Sequence, residues 1–242
     1  MSDPGNILRT GRQDFDRDLG RLEAELILMS GLVEQAIFNS LNALKNRDLE
    51  RSQTVIDEDD HIDETELEIE RSCIELLRRE APMAGDLRRI VASLHIAGEL
   101  ERIGDYAEGI AKISITMGDQ APLKELIDIP RMGDMAVSML KRALEAFISR
   151  DADSVRQISV ELEKDDDVVD DLYAVVQADL MKLVKSNPES AERATYLMWV
   201  AHNLERVADR AMNIVERALY QATGELVSGT TQIETSSSGL SR

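Results

Sequence analysis

The stretches LERIGD (Leu100–Asp105) and LERVAD (Leu204–Asp209) are two copies of one motif, separated by 104 residues. Apolar residues around the first copy fall on apolar residues around the second at the same offset. Upstream, DDHID (Asp59–Asp63) matches DDVVD (Asp166–Asp170) at an offset of 107, and the three-residue difference predicts a short loop insertion. The sequence therefore predicts a chain of two similar halves.

Composition favours long amphipathic helices, because aromatic residues make up only 3% of the 242 residues and charged residues 31%. The net charge of −19 disfavours nucleic acid and anionic lipid as partners. No run approaches the ~18 to 20 apolar residues of a membrane span, and the polar start lacks the apolar core of a signal peptide. We therefore expect a reduced, cytoplasmic protein without membrane insertion, in which the single cysteine, Cys73, is a core residue.

Apolar residues recur at spacings of three and four along most of the chain, which predicts an all-α fold. Breaks are expected near residues 46–48, at Ala81-Pro82, in 118–130, at Arg150-Asp151 and at Asn187-Pro188. Six long helices then form two tandem, pseudo-repeated three-helix bundles. The expected organisation is a flexible N-terminus (1–13), a first bundle (14–118), a linker (119–130), a second bundle (131–223) and a disordered Ser/Thr-rich tail (224–242).

Paired carboxylates lie on a helix sector that faces away from the apolar stripe in both halves. Glu101 and Asp105 are an i,i+4 pair, and Glu108 and Lys112 share their sector. Such carboxylates repel each other unless a cation lies between them. The residues that recur, and could hold a hard cation such as Mg, Ca, Mn or iron, are Asp59, Asp63, Glu101 and Asp105 in one half and Asp166, Asp170, Glu205 and Asp209 in the other.

Two plainer interpretations of the acidic residues stay open. A solvated acidic face is the common explanation of one such pair, and Arg102 and Arg206 could form a structural ladder of salt bridges with the glutamates. Repetition of both pairs at matched positions favours the metal site.

Catalytic patterns are missing from the sequence, so we do not expect an enzyme. A di-iron site needs E-x-x-H on two helices, whereas only Glu58-x-x-His61 has this spacing. His95 and His202 do not recur in the other half and are expected to be ordinary helix residues.

Two further surface features stand out. The arginines at 78, 79, 88 and 89 flank the turn EAPMAGD, where they could sit on solvated helix ends, bind phosphate groups or meet an acidic partner. Apolar residues facing outward, such as Ile113, Ile115 and Met117, predict self-association as a homodimer.

The segment APMAGDLR (Ala81–Arg88), the doubled LERIGD and LERVAD motifs and the Asp-x-x-Ile/Val-Asp elements resemble the PhoU family of phosphate-specific transport system accessory proteins. The resemblance spans roughly residues 15–222. It implies two three-helix bundles whose surfaces carry multinuclear metal clusters of iron, zinc, manganese or magnesium. The implied ligands are the same eight carboxylates, four for each cluster.

The resemblance also implies a function. It describes a cytoplasmic negative regulator of phosphate uptake and phosphate-starvation signalling, acting between the ATPase subunit of a Pst-type phosphate transporter and a membrane sensor histidine kinase. Gly109 stands where the second repeat has Asn213, which implies weaker metal binding at the first site. The alternatives are a metal-storage or redox bundle and a metal-free helical scaffold.

Overall fold

Six long helices form the part of the chain that the structure describes. The computed structural model describes the backbone of residues 4–225 and the side chains of residues 13–225. The helices are α1 (Pro4–Asn46), α2 (Leu49–Glu80), α3 (Ala84–Met117), α4 (Asp128–Ser149), α5 (Ala152–Ser186) and α6 (Ala191–Thr223), with a 3-10 turn at Pro188–Ser190.

Local chemistry sets most of the helix ends. The Asp48 and Asp151 side chains cap α2 and α5 by accepting hydrogen bonds from the backbone N–H groups three residues on, at 3.0 and 2.8 Å. Ala81 leaves α2 with a left-handed φ of 44° immediately before Pro82, and Gly224 ends α6 with a φ of 82°. The corner between α2 and α3 has three residues, whereas Asn187 alone separates α5 from the 3-10 turn.

Two boundaries differ from the sequence prediction. Helix α1 begins at Pro4 rather than near residue 14, since proline fits the first turn and extending an existing helix adds one hydrogen bond per residue. Helix α4 begins at Asp128, so Pro130 belongs to its first turn and not to the linker. Beyond residue 225, the tail expected from the sequence lies outside the described residues.

The helices pack as α1–α3 in one bundle and α4–α6 in the other, which confirms the predicted fold class. The bundles meet where α3 packs along α6 and, over a smaller area, where α1 meets α4. Leu100 and Leu204 at the start of the two motifs are both completely buried. Cys73 is also buried, and burial raises the pKa of its thiol to about 12, as expected for a core residue.

Equivalent positions of α3 and α6 contact each other differently on the two sides of their interface. Glu99 accepts a hydrogen bond from Asn213 Nδ2 at 3.1 Å. On the other side of the interface, Asn203 corresponds to Glu99 and Gly109 corresponds to Asn213. There Asn203 covers Gly109 and donates to the Tyr106 carbonyl at 3.4 Å. A Cβ at Gly109 would lie only 2.9 Å from Asn203 Nδ2, so the missing side chain makes room for α6.

A buried carboxylate ties the two halves together. Glu23 of α1 accepts from Arg89 Nε of α3 at 2.5 Å and from Arg150, in the turn between α4 and α5, at 2.7 Å. The side chains of Glu23 and Arg89 are only 11% and 13% exposed. Because so little water reaches this ion pair, removing one partner leaves an uncompensated charge in a poorly solvated place.

The arginines around EAPMAGD are engaged within the chain. Arg78 pairs with Glu75, and Arg79 pairs with Asp18 and Glu80. Arg88 donates to the Gln221 carbonyl at 3.3 Å, and Arg89 binds Glu23 as described above. From the sequence, an acidic partner was one possible ligand of these arginines. In the structure, acidic side chains of the protein's own helices bind three of the four.

None of the three apolar residues that the sequence predicted for self-association is fully exposed, and Ile115 among them is half-buried. Ile113 and Met117 pack against the buried core. Leu28 and Phe38 of α1 are instead 70% and 60% exposed. None of the described helices combines the length and apolar character that crossing a membrane requires.

We predict that Glu23→Gln lowers the free energy of unfolding by about 3 kcal/mol, because two guanidinium groups then lose their shared carboxylate. Glu25→Gln is the matched control two residues away. The ion pair of Glu25 with Arg21 is solvated, because the Arg21 side chain is 80% exposed. Glu25→Gln should therefore lower the free energy of unfolding by less than about 1 kcal/mol. Urea denaturation monitored by circular dichroism measures both, and equal losses would contradict the structural role of Glu23.

Candidate metal centres

The first acidic cluster lies between α2 and α3. Carboxylate oxygens of Asp59, Asp105 and Glu108 lie within 4.8 Å of one another. Asp63 and Glu101 extend the cluster, since their charges act on those of Asp59 and Asp105. The four residues predicted for this site are therefore brought together, and Glu108 joins them.

Burial and mutual repulsion weaken the acidity of this cluster. The pKa of Asp59 rises to about 7, first because burial disfavours the carboxylate and then because Glu108, Asp63 and Asp105 repel it. The pKa values of Glu101 and Asp105 are also raised, again chiefly by burial and then by neighbouring carboxylates. Negative charge is thus concentrated where water cannot fully solvate it.

Glu108 is a candidate ligand that the sequence analysis left out. It lies one helical turn beyond Asp105, but its counterpart in the second repeat is Met212, so selecting positions that recur excluded it. Lys112 Nζ lies 2.5 Å from Glu108 Oε2 and partly neutralises it. Because the Lys112 side chain is 57% exposed, it can leave Glu108 for water at small cost when a cation binds.

A glycine allows α2 to approach α3 at this cluster. A Cβ at Gly104 would lie 3.1 Å from two carbons of the buried Ile62 and 3.2 Å from Asp59 Oδ1. The second repeat has Ala208 in place of Gly104 and the smaller Val169 in place of Ile62. Relative to the first repeat, the second has one methyl group more at Ala208 and one methyl group fewer at Val169. The two changes compensate in volume, which is consistent with close helix packing in both repeats.

The second cluster lies between α5 and α6. The pKa of Asp166 rises to about 6, first through burial and then through repulsion by Asp170, Asp209, Asp167 and Glu205. The pKa of Asp170 is likewise raised by burial and then by Asp209. The four residues predicted for this site therefore also interact with one another.

Arg206 and Glu205 distinguish the second cluster. Arg206 pairs with Asp209 at 2.9 Å and hydrogen-bonds Tyr106 of α3, so its ion pair is with the aspartate of the motif rather than with the glutamate that the sequence suggested. Burial, then Asp209, raises the pKa of Glu205. Its Oε2 atom is buried without a hydrogen-bond partner, which leaves an acceptor for a ligand to satisfy.

The two clusters are not equivalent in geometry. Across residues 13–225, Asp59, Asp105 and Glu108 are the one set of three acidic, histidine or cysteine side chains whose ligand atoms converge within 4.8 Å. Gly109 and Asn213 face the interface between α3 and α6 rather than the carboxylates. Position 109 therefore supports helix packing, and weaker metal binding at the first site stays a prediction.

These residues fit a metal ion on chemical grounds. Oxygen-only sets of carboxylates suit hard divalent cations, and a bound cation would relieve the repulsion that raises the pKa values in both clusters. The orphaned Glu205 Oε2 atom provides a further acceptor at the second site.

Both halves of the chain match one known domain family. The PhoU domain matches residues 26–114 and again residues 129–218. A phosphate-specific transport system accessory protein PhoU homolog from Aquifex aeolicus is 37% identical over 211 residues, covering 87% of this chain and 94% of the relative. The sequence similarity therefore covers both bundles.

Solved structures match the fold over the same length. The crystal structure of the phosphate transport system regulatory protein PhoU from Streptococcus pneumoniae has a TM-score of 0.80 and 31% identity, covering 88% of this chain and 99% of that one. PhoU from Pseudomonas aeruginosa has a TM-score of 0.80 and 30% identity, with 87% and 100% covered.

We predict that Gly104→Ala destabilises the protein by about 1 to 3 kcal/mol, because the added methyl group crowds Ile62. Gly98→Ala in the same helix meets open space and should instead stabilise by about 0.5 to 1 kcal/mol. Adding Ile62→Val should recover part of the loss, as Val169 does in the second repeat. Denaturant titration of the variants tests this, and stabilisation by Gly104→Ala would refute the close approach.

We predict that the metal-free protein loses stability as pH rises from about 4 to 7 through the raised pKa values of the clusters. The folded state holds protons on Asp59 and Asp166 up to about 7 and about 6, whereas the unfolded chain releases them near 3.8. Deprotonation therefore favours unfolding. Asp59→Asn should flatten part of this slope, and Asp60→Asn on the same turn should leave it unchanged, as measured by thermal unfolding in chelator. Asp18 and Asp151, whose pKa values are lowered by hydrogen bonds, add an opposite slope to all the variants, so an equal pH dependence of stability in Asp59→Asn and in the wild-type protein is the result that would contradict the assignment.

Proposed function

Because the chain belongs to the PhoU family, we propose that it is a negative regulator of phosphate uptake and phosphate-starvation signalling in the cytoplasm. The observation that carries this proposal is the match of both halves to the PhoU domain, with a half-buried carboxylate cluster at the same place in each. The names of the relatives from Aquifex aeolicus and Streptococcus pneumoniae connect those proteins with phosphate transport.

Metal clusters are the second part of the proposal. Asp59, Asp63, Glu101 and Asp105, with Glu108, hold one cluster, and Asp166, Asp170, Glu205 and Asp209 hold the other. Iron, zinc, manganese and magnesium are all compatible with carboxylate ligands. A bound metal would supply positive charge that holds the two helices of each site together, and the carboxylates would position it. Lys112 would then release Glu108, and Arg206 would release Asp209.

Regulation proceeds through protein contacts. The partners that we propose are the ATPase subunit of a phosphate transporter and a membrane sensor histidine kinase. A chain with a net charge of −19 is attracted to basic surfaces on such partners. A regulator of this kind shifts its partner between two states by binding one of them more tightly, which requires no catalytic group. The exposed apolar residues of α1, Leu28 and Phe38, offer a surface for a homodimer or a partner helix.

We predict that Glu101→Gln with Asp105→Asn lowers metal content at the first site and leaves the second site loaded. Neutral amides keep the shape but remove the charge that attracts the cation. The control is Glu64→Gln with Glu68→Gln, an exposed pair at the same spacing on α2. Metal analysis of the purified variants measures the change. If the metal content of the Glu101→Gln, Asp105→Asn variant were unchanged, the metal would lie elsewhere. If neither the wild-type protein nor the variants retained metal, the metal-free helical scaffold would be the better interpretation.

We predict that deleting the gene in its native host turns on phosphate-starvation genes in phosphate-rich medium and lets phosphate accumulate. Transcript levels and cellular phosphate measure this outcome, and the wild-type gene supplied in trans should restore both. If deletion changed neither quantity and the pure protein oxidised ferrous iron with turnover, the storage or redox function would replace the regulatory one.

A further inference from the structure

The second cluster contains a histidine that its counterpart lacks. His202 Nδ1 lies 3.3 Å from Glu205 Oε2, one helical turn before the glutamate on α6. At the equivalent position of α3 stands Gly98. From the sequence we expected His202 to be an ordinary helix residue, because it does not recur between the repeats.

The contact between His202 and Glu205 needs a hydrogen atom or a metal ion between its two atoms. Glu205 Oε2 is buried and has no hydrogen-bond partner in the structure. A neutral imidazole with a bare Nδ1 would place two acceptors opposite each other, which is unfavourable. Either a proton on Nδ1 or a metal ion between the two atoms resolves the contact.

The separation of the two atoms suits a shared metal ion. Zinc binds histidine nitrogen and carboxylate oxygen at about 2.0 to 2.2 Å, and two such ligands at a tetrahedral angle lie about 3.3 Å apart. The observed distance of 3.3 Å therefore needs little adjustment.

Neighbouring residues orient the imidazole and leave a ligand position to fill. The His202 ring lies 6.0 Å from the ring of Tyr173, which follows Asp170 by one turn of α5, so the imidazole packs beside the second cluster. Met212 stands where the first cluster has Glu108, and among the described side chains no three acidic, histidine or cysteine ligand atoms of the second cluster lie within 4.8 Å of one another. His202 and Glu205 supply one nitrogen and one oxygen at 3.3 Å, and the other carboxylates of the cluster would have to move inward to complete the site.

We propose that His202 is a metal ligand of the second cluster, which makes this site a mixed nitrogen and oxygen site for zinc or another borderline transition metal. The first cluster, with carboxylates alone, then prefers harder cations such as magnesium or manganese. This inference rests on the proposed metal binding and adds a difference in metal preference between two otherwise repeated sites.

The test isolates the second site in full-length protein that carries Glu101→Gln and Asp105→Asn. Zinc affinity is measured by chelator competition and manganese affinity by electron paramagnetic resonance, for this background and with His202→Ala or His202→Gln added. His95→Ala, at an exposed histidine of α3, is the matched control. We expect loss of His202 to weaken zinc binding by at least about tenfold, since even outer-shell partners of a ligand contribute 10 to 100-fold, and to change manganese binding much less.

Histidine nitrogen NMR with zinc added provides a direct readout. A zinc-bound Nδ1 of His202 supports the proposal, whereas a protonated Nδ1 in the zinc-loaded protein identifies a simple ion pair with Glu205 and overturns it. Equal zinc affinities with and without His202 also overturn it, while leaving metal binding by the carboxylates intact. If the background protein bound neither metal, both this inference and the proposed second cluster would fall, and the family assignment would stand.

Discussion

The structure depends on the close packing of an acidic helix against a second acidic helix, once in each half. Apolar contacts such as that of Ile62 with Gly104 hold α2 against α3, and this same contact sets Asp59 near Asp105. Burying apolar area is favourable by roughly 25 cal/mol per Å², so the core can hold carboxylates closer than their charges alone would permit. The pKa values of Asp59 and Asp166 are raised because packing buries these carboxylates and places them near other negative charges.

The fold could be predicted from the sequence because its signals are local and repeated. The spacing of apolar residues identified six helices, and Ala81-Pro82 and Asn187-Pro188 marked two of the corners correctly. The start of α1 at Pro4 was missed, because the polar sequence before residue 14 carries no sustained apolar periodicity to detect.

The eight candidate ligands could be predicted from duplication, and duplication also limited the prediction. Glu108 and His202 were passed over since each occurs in only one repeat, although both lie at their clusters. The arginines of the EAPMAGD turn show a different limit. Asp18, which pairs with Arg79, and Glu23, which pairs with Arg89, are more than 60 residues away in the chain, and the sequence carries no local sign of them.

The unequal contacts along α3 and α6 have a consequence for how such a chain can be assembled. If two first halves met through this interface, Glu99 would face Gly109 on both sides and lose the amide of Asn213 that it binds here. If two second halves met, Asn203 would face Asn213 twice, where the structure has a glycine whose added Cβ would lie 2.9 Å from the Asn203 amide. The contacts of this interface therefore favour the pairing of a first half with a second half, and the covalent fusion of the halves supplies that partner at high local concentration.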